Sequence, residues 1–322
     1  MRIPFRVGYL LTAASLLSAL TGCSGGAPAV NAPPGGGLTG SAVRLGGPDL
    51  LDTRVVTNGV YVALANQTNL YSLPDLKNAA PKCTFPTANA KGIAVDAAGT
   101  LWVPSSASFQ VTTYMKGTCK QAALTLNEPN GSPNAVAFST TGTVYVADIV
   151  GTGGSHGLVS VYPKGASSPT STLSDPEMIE VRGVVVDRAG DVFASGVKEQ
   201  GSIVEEFKNG KMPGKLLRIS TGIADGLEID IHQNLLVVDP GARLIEAFAP
   251  PYNGAAAFTI PTRGSSEFGH LDAANKNIYV SNFSSGTVDV FKYPSGLYKY
   301  SISNGVVQDG VWGVAVMPAS TN

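Results

Sequence analysis

One short stretch recurs along this chain at a nearly fixed spacing, and such a period restricts the possible folds more than any composition does. "KGIAVDAAGTLWVPS" starts at Lys91, "PNAVAFSTTGTVYVAD" at Pro133, "RGVVVDRAGDVFASG" at Arg182, "DGLEIDIHQNLLVVD" at Asp225 and "FGHLDAANKNIYVSN" at Phe268. Anchored on Gly92, Ala135, Gly183, Gly226 and Gly269, the steps are 43, 48, 43 and 43 residues, and a further 44 lead to Gly313 in "WGVAVMP". Each copy reads as two apolar strands around a small polar turn. Asp96, Asp187 and Asp230 stand where a carboxylate would bond the backbone amides of that turn.

Two further strands follow in every unit. The third ends on an aromatic before a turn, at Tyr114, Tyr162, Phe207, Phe248 and Phe291, and segments such as "AALTL", "KLLRIS" and "AAFTI" supply the fourth. Four short strands repeated at a little over forty residues are the signature of a β-propeller blade. The two ends do not make whole blades. "GVYVALANQTNLYSLPDL" from Gly59 and "KCTFP" supply second, third and fourth strands without a first, while "VWGVAVMP" from Val311 supplies a first strand alone. Combined, they complete a ring. The expectation is therefore an all-β, six-bladed propeller of four-stranded antiparallel blades over residues 48–318, closed by pairing of the C-terminal strand with the N-terminal blade, and followed by a tail at 319–322. Closure removes the open sheet edges that would invite aggregation.

Composition agrees with that class. The 322 residues are 43% hydrophobic and 14% charged, with 38 Gly and 21 Pro, too apolar for disorder and too rich in turn residues for a helical bundle. The net charge is -1 and no Lys/Arg run offers a surface for phosphates, which argues against nucleic acid as a partner.

The N-terminus reads as a targeting segment. "MRIPFR" carries two positive charges and the apolar run Val7–Leu20 suits a signal peptide better than a membrane span. "LTGC", Leu20 to Cys23, resembles the lipobox of bacterial lipoproteins. That resemblance implies a signal peptide at 1–22, lipidation of Cys23 and, with Ser24 following it, an outer-membrane address where the cell has one. The protein is thus expected to be exported and held to the membrane by its acyl chains. Residues 23–47, Gly- and Pro-rich, carry too little apolar surface to offset their ordering entropy and read as a tether.

In antiparallel blades the start of the first strand and the end of the second lie on one face. The first-strand starts are Lys91, Asn134, Arg182 and Asp225, with Phe268 and Trp312; the second-strand ends include Ser105, Asp148, Asp239 and Asn282. All are expected around the mouth of the axial channel, the two aromatics as a plug or a stacking platform. The repeats resemble those of NHL and gluconolactonase-like six-bladed propellers. "SPNAVAFSTTGTVYVAD" is similar to that hydrolase family's segment carrying an Asn metal ligand, and "ADGLEIDIHQNLLVV" to the one carrying an Asp that is ligand and general base. The resemblance implies Asn134 and Asp225 as ligands of a divalent cation such as Ca²⁺, with Asp225 as the catalytic base of a lactonase-like hydrolase. Here, however, the Arg182 unit separates two segments that the family places in consecutive blades, and Lys91 and Arg182 would face the cation.

"GGSHG", Gly153 to Gly157, matches G-x-S-x-G but lies between two strands rather than at a strand-to-helix turn, so a glycine loop is expected. His232 falls in a hairpin turn on the far face, and the direction of His270 depends on a one-residue choice of alignment. Cys83 and Cys119 occupy similar places in the fourth strands of neighbouring blades. In an exported chain they either form a bridge or remain two separate buried thiols. The leading reading is a lipid-anchored binding or protein-interaction module with no cofactor, taking a protein or small-molecule ligand at the channel face; the metal-dependent hydrolase is the alternative.

Overall fold

The computed structural model describes residues 55–73, 79–306 and 310–319; the leader, Cys23, the tether and most of the tail lie outside the described residues. Six four-stranded sheets form the blades. Blade 1 runs from the axis outward as Val311–Met317, Gly59–Leu64, Gln67–Ser72 and Cys83–Pro86. Blade 2 is Ala94–Val95, Leu101–Ser105, Gln110–Tyr114 and Gln121–Asn127, and blade 3 is Gly131–Phe138, Val144–Gly151, Leu158–Tyr162 and Ser171–Leu173. Blade 4 is Glu180–Val186, Val192–Lys198, Gly201–Phe207 and Lys215–Leu216. Blade 5 is Leu227–Ile229, Leu235–Asp239, Leu244–Phe248 and Phe258–Pro261, and blade 6 is Gly269–Leu271, Asn277–Asn282, Thr287–Lys292 and Leu297–Ile302. The ring closes as the repeats imply, with Gly59 opposite Met317 and Ala63 opposite Gly313.

The strands read as continuous apolar runs because each blade is covered on both faces. Six hydrophobic clusters occupy the six blade-to-blade interfaces. Blades 4 and 5, for example, bury Phe193 and Val204 against Ile229, Val237 and Phe248. The aromatics that end the third strands belong to these cores, and Tyr162, Phe207, Phe248 and Phe291 are all 2% exposed or less. The turn carboxylates act as their positions suggest. Asp230 Oδ1 accepts the amides of His232 and Asn234 at 2.8 Å each, and Asp96 Oδ1 those of Ala98 and Thr100 at 2.9 Å each.

Near the axis the inner strands come so close that a side chain has no room. A Cβ added at Gly313 would lie 1.8 Å from the Lys91 carbonyl oxygen, at Gly226 2.4 Å from that of Glu267, and at Gly183 2.5 Å from that of Asp225. Backbone bonds therefore cross between blades: Gly92 donates to the Asn134 carbonyl at 2.8 Å and Gly226 to that of Glu267 at 2.8 Å. Gly313→Ala is expected to cost about 1–3 kcal/mol, because it overpacks backbone that cannot retreat. Urea unfolding checks this, and a midpoint equal to that of the parent protein would contradict the close approach.

Cys83 and Cys119 are joined, with Cα atoms 6.1 Å apart. Of the two outcomes open from sequence the bridge is the one observed, tying blade 1 to the loop after the third strand of blade 2. Beside it Val56 donates its amide to the Gly117 carbonyl at 3.0 Å and the Tyr61 hydroxyl reaches the Thr118 carbonyl at 3.3 Å.

Candidate functional site

Lys91, Asn134, Arg182, Asp225 and Trp312 do gather at one mouth of the channel. The sixth member of the set is Glu267 and not Phe268. Gly226 pairs with Val238 in blade 5, and Phe268 pairs with Ser281 in blade 6, whose second strand matches it residue for residue. Phe268 therefore stands where the other blades carry Gly or Ala, and the Gly269 anchor is one residue late. Its ring lies within 2.7 Å of a Cβ built on Gly92 and 2.8 Å of one built on Gly226, so it fills the space that those glycines leave. Phe268 is 4% exposed and packs with Ala135 of blade 3. It plugs the channel, and the sequence reading that placed it on the rim is corrected by one position.

Outside the plug lies a connected charge network. Arg182 NH2 is 2.8 Å from Glu180 Oε2, its NH1 is 3.6 Å from Asp225 Oδ2, and Lys91 Nζ is 3.5 Å from Glu267 Oε2. Lys91 Nζ also sits 4.4 Å above the Trp312 ring, which packs on Phe283 at 4.7 Å. Burial raises Asp225 to about 7, with the charge of Glu267 adding to the rise while Arg182 and Lys91 oppose it. Burial also raises Glu267, against the nearby Lys91 charge.

The second-strand ends are a correction. Ser105, Asp148, Asp239 and Asn282 are each 7% exposed or less, and their side chains are engaged by neighbouring loops and third strands rather than by the residues of the mouth. Ser105 donates to the Ala88 carbonyl at 2.7 Å. Asp239 accepts the amides of Gly222 at 2.9 Å and Ala242 at 2.8 Å. Asn282 donates to Asp289 at 2.8 Å. Asp148 meets a second buried acid, Glu128, through Ser160, whose hydroxyl lies 3.0 Å from Asp148 Oδ2 and 2.9 Å from Glu128 Oε1. Burial, then the Glu128 charge, pushes Asp148 up to about 9.

The two residues that resemblance assigns to a cation do not fit one. Asn134 donates its amide to the Arg182 carbonyl at 2.5 Å, and Asp225 faces the Arg182 guanidinium. The intervening blade thus places a guanidinium 3.6 Å from the carboxylate that would hold the metal. Among the described residues, no group of three or more His, Cys, Asp or Glu is arranged to hold a metal ion. The "GGSHG" segment is a glycine loop: Gly153 and Gly154 take positive φ of 75° and 78°, and Ser155 donates to the Thr152 carbonyl at 3.2 Å. His156 and His232 are exposed.

Beyond Phe268 the channel opens on the opposite face into a cavity of about 220 Å³, walled by the ends of all six inner strands. There Glu228 of blade 5 and His270 of blade 6 meet, Glu228 Oε2 lying 2.9 Å from His270 Nδ1. This pair escapes sequence reading because Glu228 and His270 occupy equivalent positions in adjacent blades only once Phe268 replaces Gly269 as the anchor.

No protein-family profile matches the chain, and no curated protein does. Among the solved structures it is similar to a chain from the crystal structure of a nidogen/laminin complex. The TM-score is 0.67 at 14% identity, over 82% of this chain and 100% of that one. The likeness is one of fold. Together with the strand order it makes this chain an all-β propeller of six four-stranded antiparallel blades.

Proposed function

We propose that this protein is an exported, lipid-anchored propeller of the NHL/gluconolactonase-like kind that serves as a protein-interaction module, with its partner docking on the charged mouth. The observation that carries this reading is the Trp312–Phe283 stack under Lys91, set beside Arg182 and Glu180, all partly exposed, with Asp225 buried beneath them. Trp and Arg side chains that are partly buried and held rigid before binding lose little entropy on docking, and they dominate binding energy at interfaces. The similar solved chain comes from a nidogen/laminin complex, which supports a reading as an interaction module. Against the hydrolase alternative, Asp225, the carboxylate that the resemblance assigns to the cation, lies 3.6 Å from the Arg182 guanidinium. A lipidated Cys23 followed by a tether would let the disc stand off the membrane.

A photo-crosslinking residue in place of Phe283, activated in living cells, tests the reading. It is expected to give one discrete protein adduct that disappears when Lys91→Glu and Arg182→Glu are combined, while Cys23→Ala moves the protein from the membrane to the soluble fraction. No adduct, or an adduct indifferent to the charge reversal, overturns the docking surface. Continued membrane retention of Cys23→Ala overturns the anchor.

A further inference from the structure

The cavity on the face away from the charged mouth has a composition that selects one class of ligand. Its wall is aliphatic, with Val95, Val136, Val184, Leu227, Leu271 and Val316 from the six inner strands. Its ionisable lining residues are Asp96, Asp187, Glu228 and His270, with neither Lys nor Arg among them. Glu228 is 7% exposed and anchored, its Oε1 accepting the Ile229 amide at 3.0 Å and its Oε2 facing His270 Nδ1 at 2.9 Å. A carboxylate on Nδ1 fixes the imidazole so that in the neutral ring Nδ1 carries the proton and Nε2 presents a lone pair. Among the described residues Nε2 has no hydrogen-bond partner, and the His270 side chain keeps 22% of its surface exposed.

We propose that this cavity binds a small organic cation, an apolar ring or branched chain bearing a protonated amine, with the ammonium donating to His270 Nε2 and the apolar body against the valine wall. Three carboxyl groups against a single imidazole attract positive charge and repel anions, most effectively where apolar walls exclude water. The size agrees. A dry cavity of about 150 Å³ accommodates benzene, so about 220 Å³ holds a six-membered ring with a short aminoalkyl arm. The site lies on the other face from the proposed docking surface and shares no residue with it, so either can fail alone.

The chain has three histidines, His156, His232 and His270, so ¹⁵N-histidine spectra of the intact protein resolve the site directly. Titration with 2-phenylethylamine is expected to move the His270 ring signals saturably, with a dissociation constant in the millimolar range or tighter, and to leave His156 and His232 in place. The anion 3-phenylpropionate, of similar size, is expected to leave all three unmoved. Glu228→Gln is expected to weaken amine binding about tenfold; should that variant not fold, the amine and anion titrations of the parent protein decide. An unmoved His270 under millimolar amine overturns the site. An equal response to the anion overturns its assignment to cations.

Discussion

Phe268→Ala is expected to lower stability by about 3–5 kcal/mol, the range for removing a fully buried phenyl ring without refilling its space. The backbone needs no adjustment, since Gly92, Ala135, Gly183, Gly226 and Gly313 show that this level of the inner strands accepts a small residue in every other blade. What disappears is the ring itself, which is 4% exposed and packs against glycines in blades 2 and 5. Inner strands bonded from blade to blade, Gly92 to Asn134 and Gly226 to Glu267, resist closing over the space left behind. For a domain of this size each kcal/mol moves the melting temperature by about 2–4 °C, so calorimetry is expected to show a fall of roughly 10 °C. A change of less than about 1 kcal/mol would mean that the ring does not fill the axis.

The second large effect concerns pH. Burial is the first cause of a raised titration point at Asp148, Glu205 and Asp225; the charges of Glu128, Asp175 and Glu267 respectively add to it, bringing them to about 9, 7 and 7. In the unfolded chain such carboxyls titrate near 4. From there up to each folded value the native state holds a proton that the unfolded state has released, so stability falls as pH rises. The contribution of each group is fully present below pH 4 and is lost progressively until its folded titration point is passed. Between pH 7 and 9 Asp148 is the main group of the three still titrating, and it removes on the order of 2–3 kcal/mol over that interval. Thermal melts are expected to show the protein more stable at pH 5 than at 7, and more stable at 7 than at 9. Asp148→Asn is expected to flatten the upper step. A melting temperature that holds or rises from pH 7 to 9 would show Asp148 already ionised in the fold.

Blade number and closure were legible because each depended on a period, and a period survives local exceptions. The Gly or Ala anchor recurs where adjacent inner strands touch, which is a steric demand common to nearly every blade. The same regularity misled the reading in blade 6. Gly269 resembles an anchor, but Phe268 holds the anchor's place, and the shift by one residue hid both Glu267 at the mouth and the partnership of Glu228 with His270. The second-strand ends failed for another reason. A polar residue closing a strand beside a loop has unpaired amides within reach, and Asp239 and Asn282 satisfy those before any ligand. Direction in a blade follows from such local competition, which spacing does not record. The cysteine pair remained open because distance between neighbouring blades at their outer edge depends on ring radius, a property of the whole circle.

The pairing of Val311–Met317 with Gly59–Leu64 also sets an order of events. During synthesis the second, third and fourth strands of blade 1 are made before any other blade, yet their innermost neighbour is made after all of them. Until it arrives, blades 1 and 6 each present an apolar flank that the finished disc conceals between them, with Val60 and Tyr71 on one side and Tyr279 and Val290 on the other. A ribosome that stalls shortly before residue 311 would therefore leave an almost complete but sticky horseshoe, the form in which this polypeptide has most need of a chaperone.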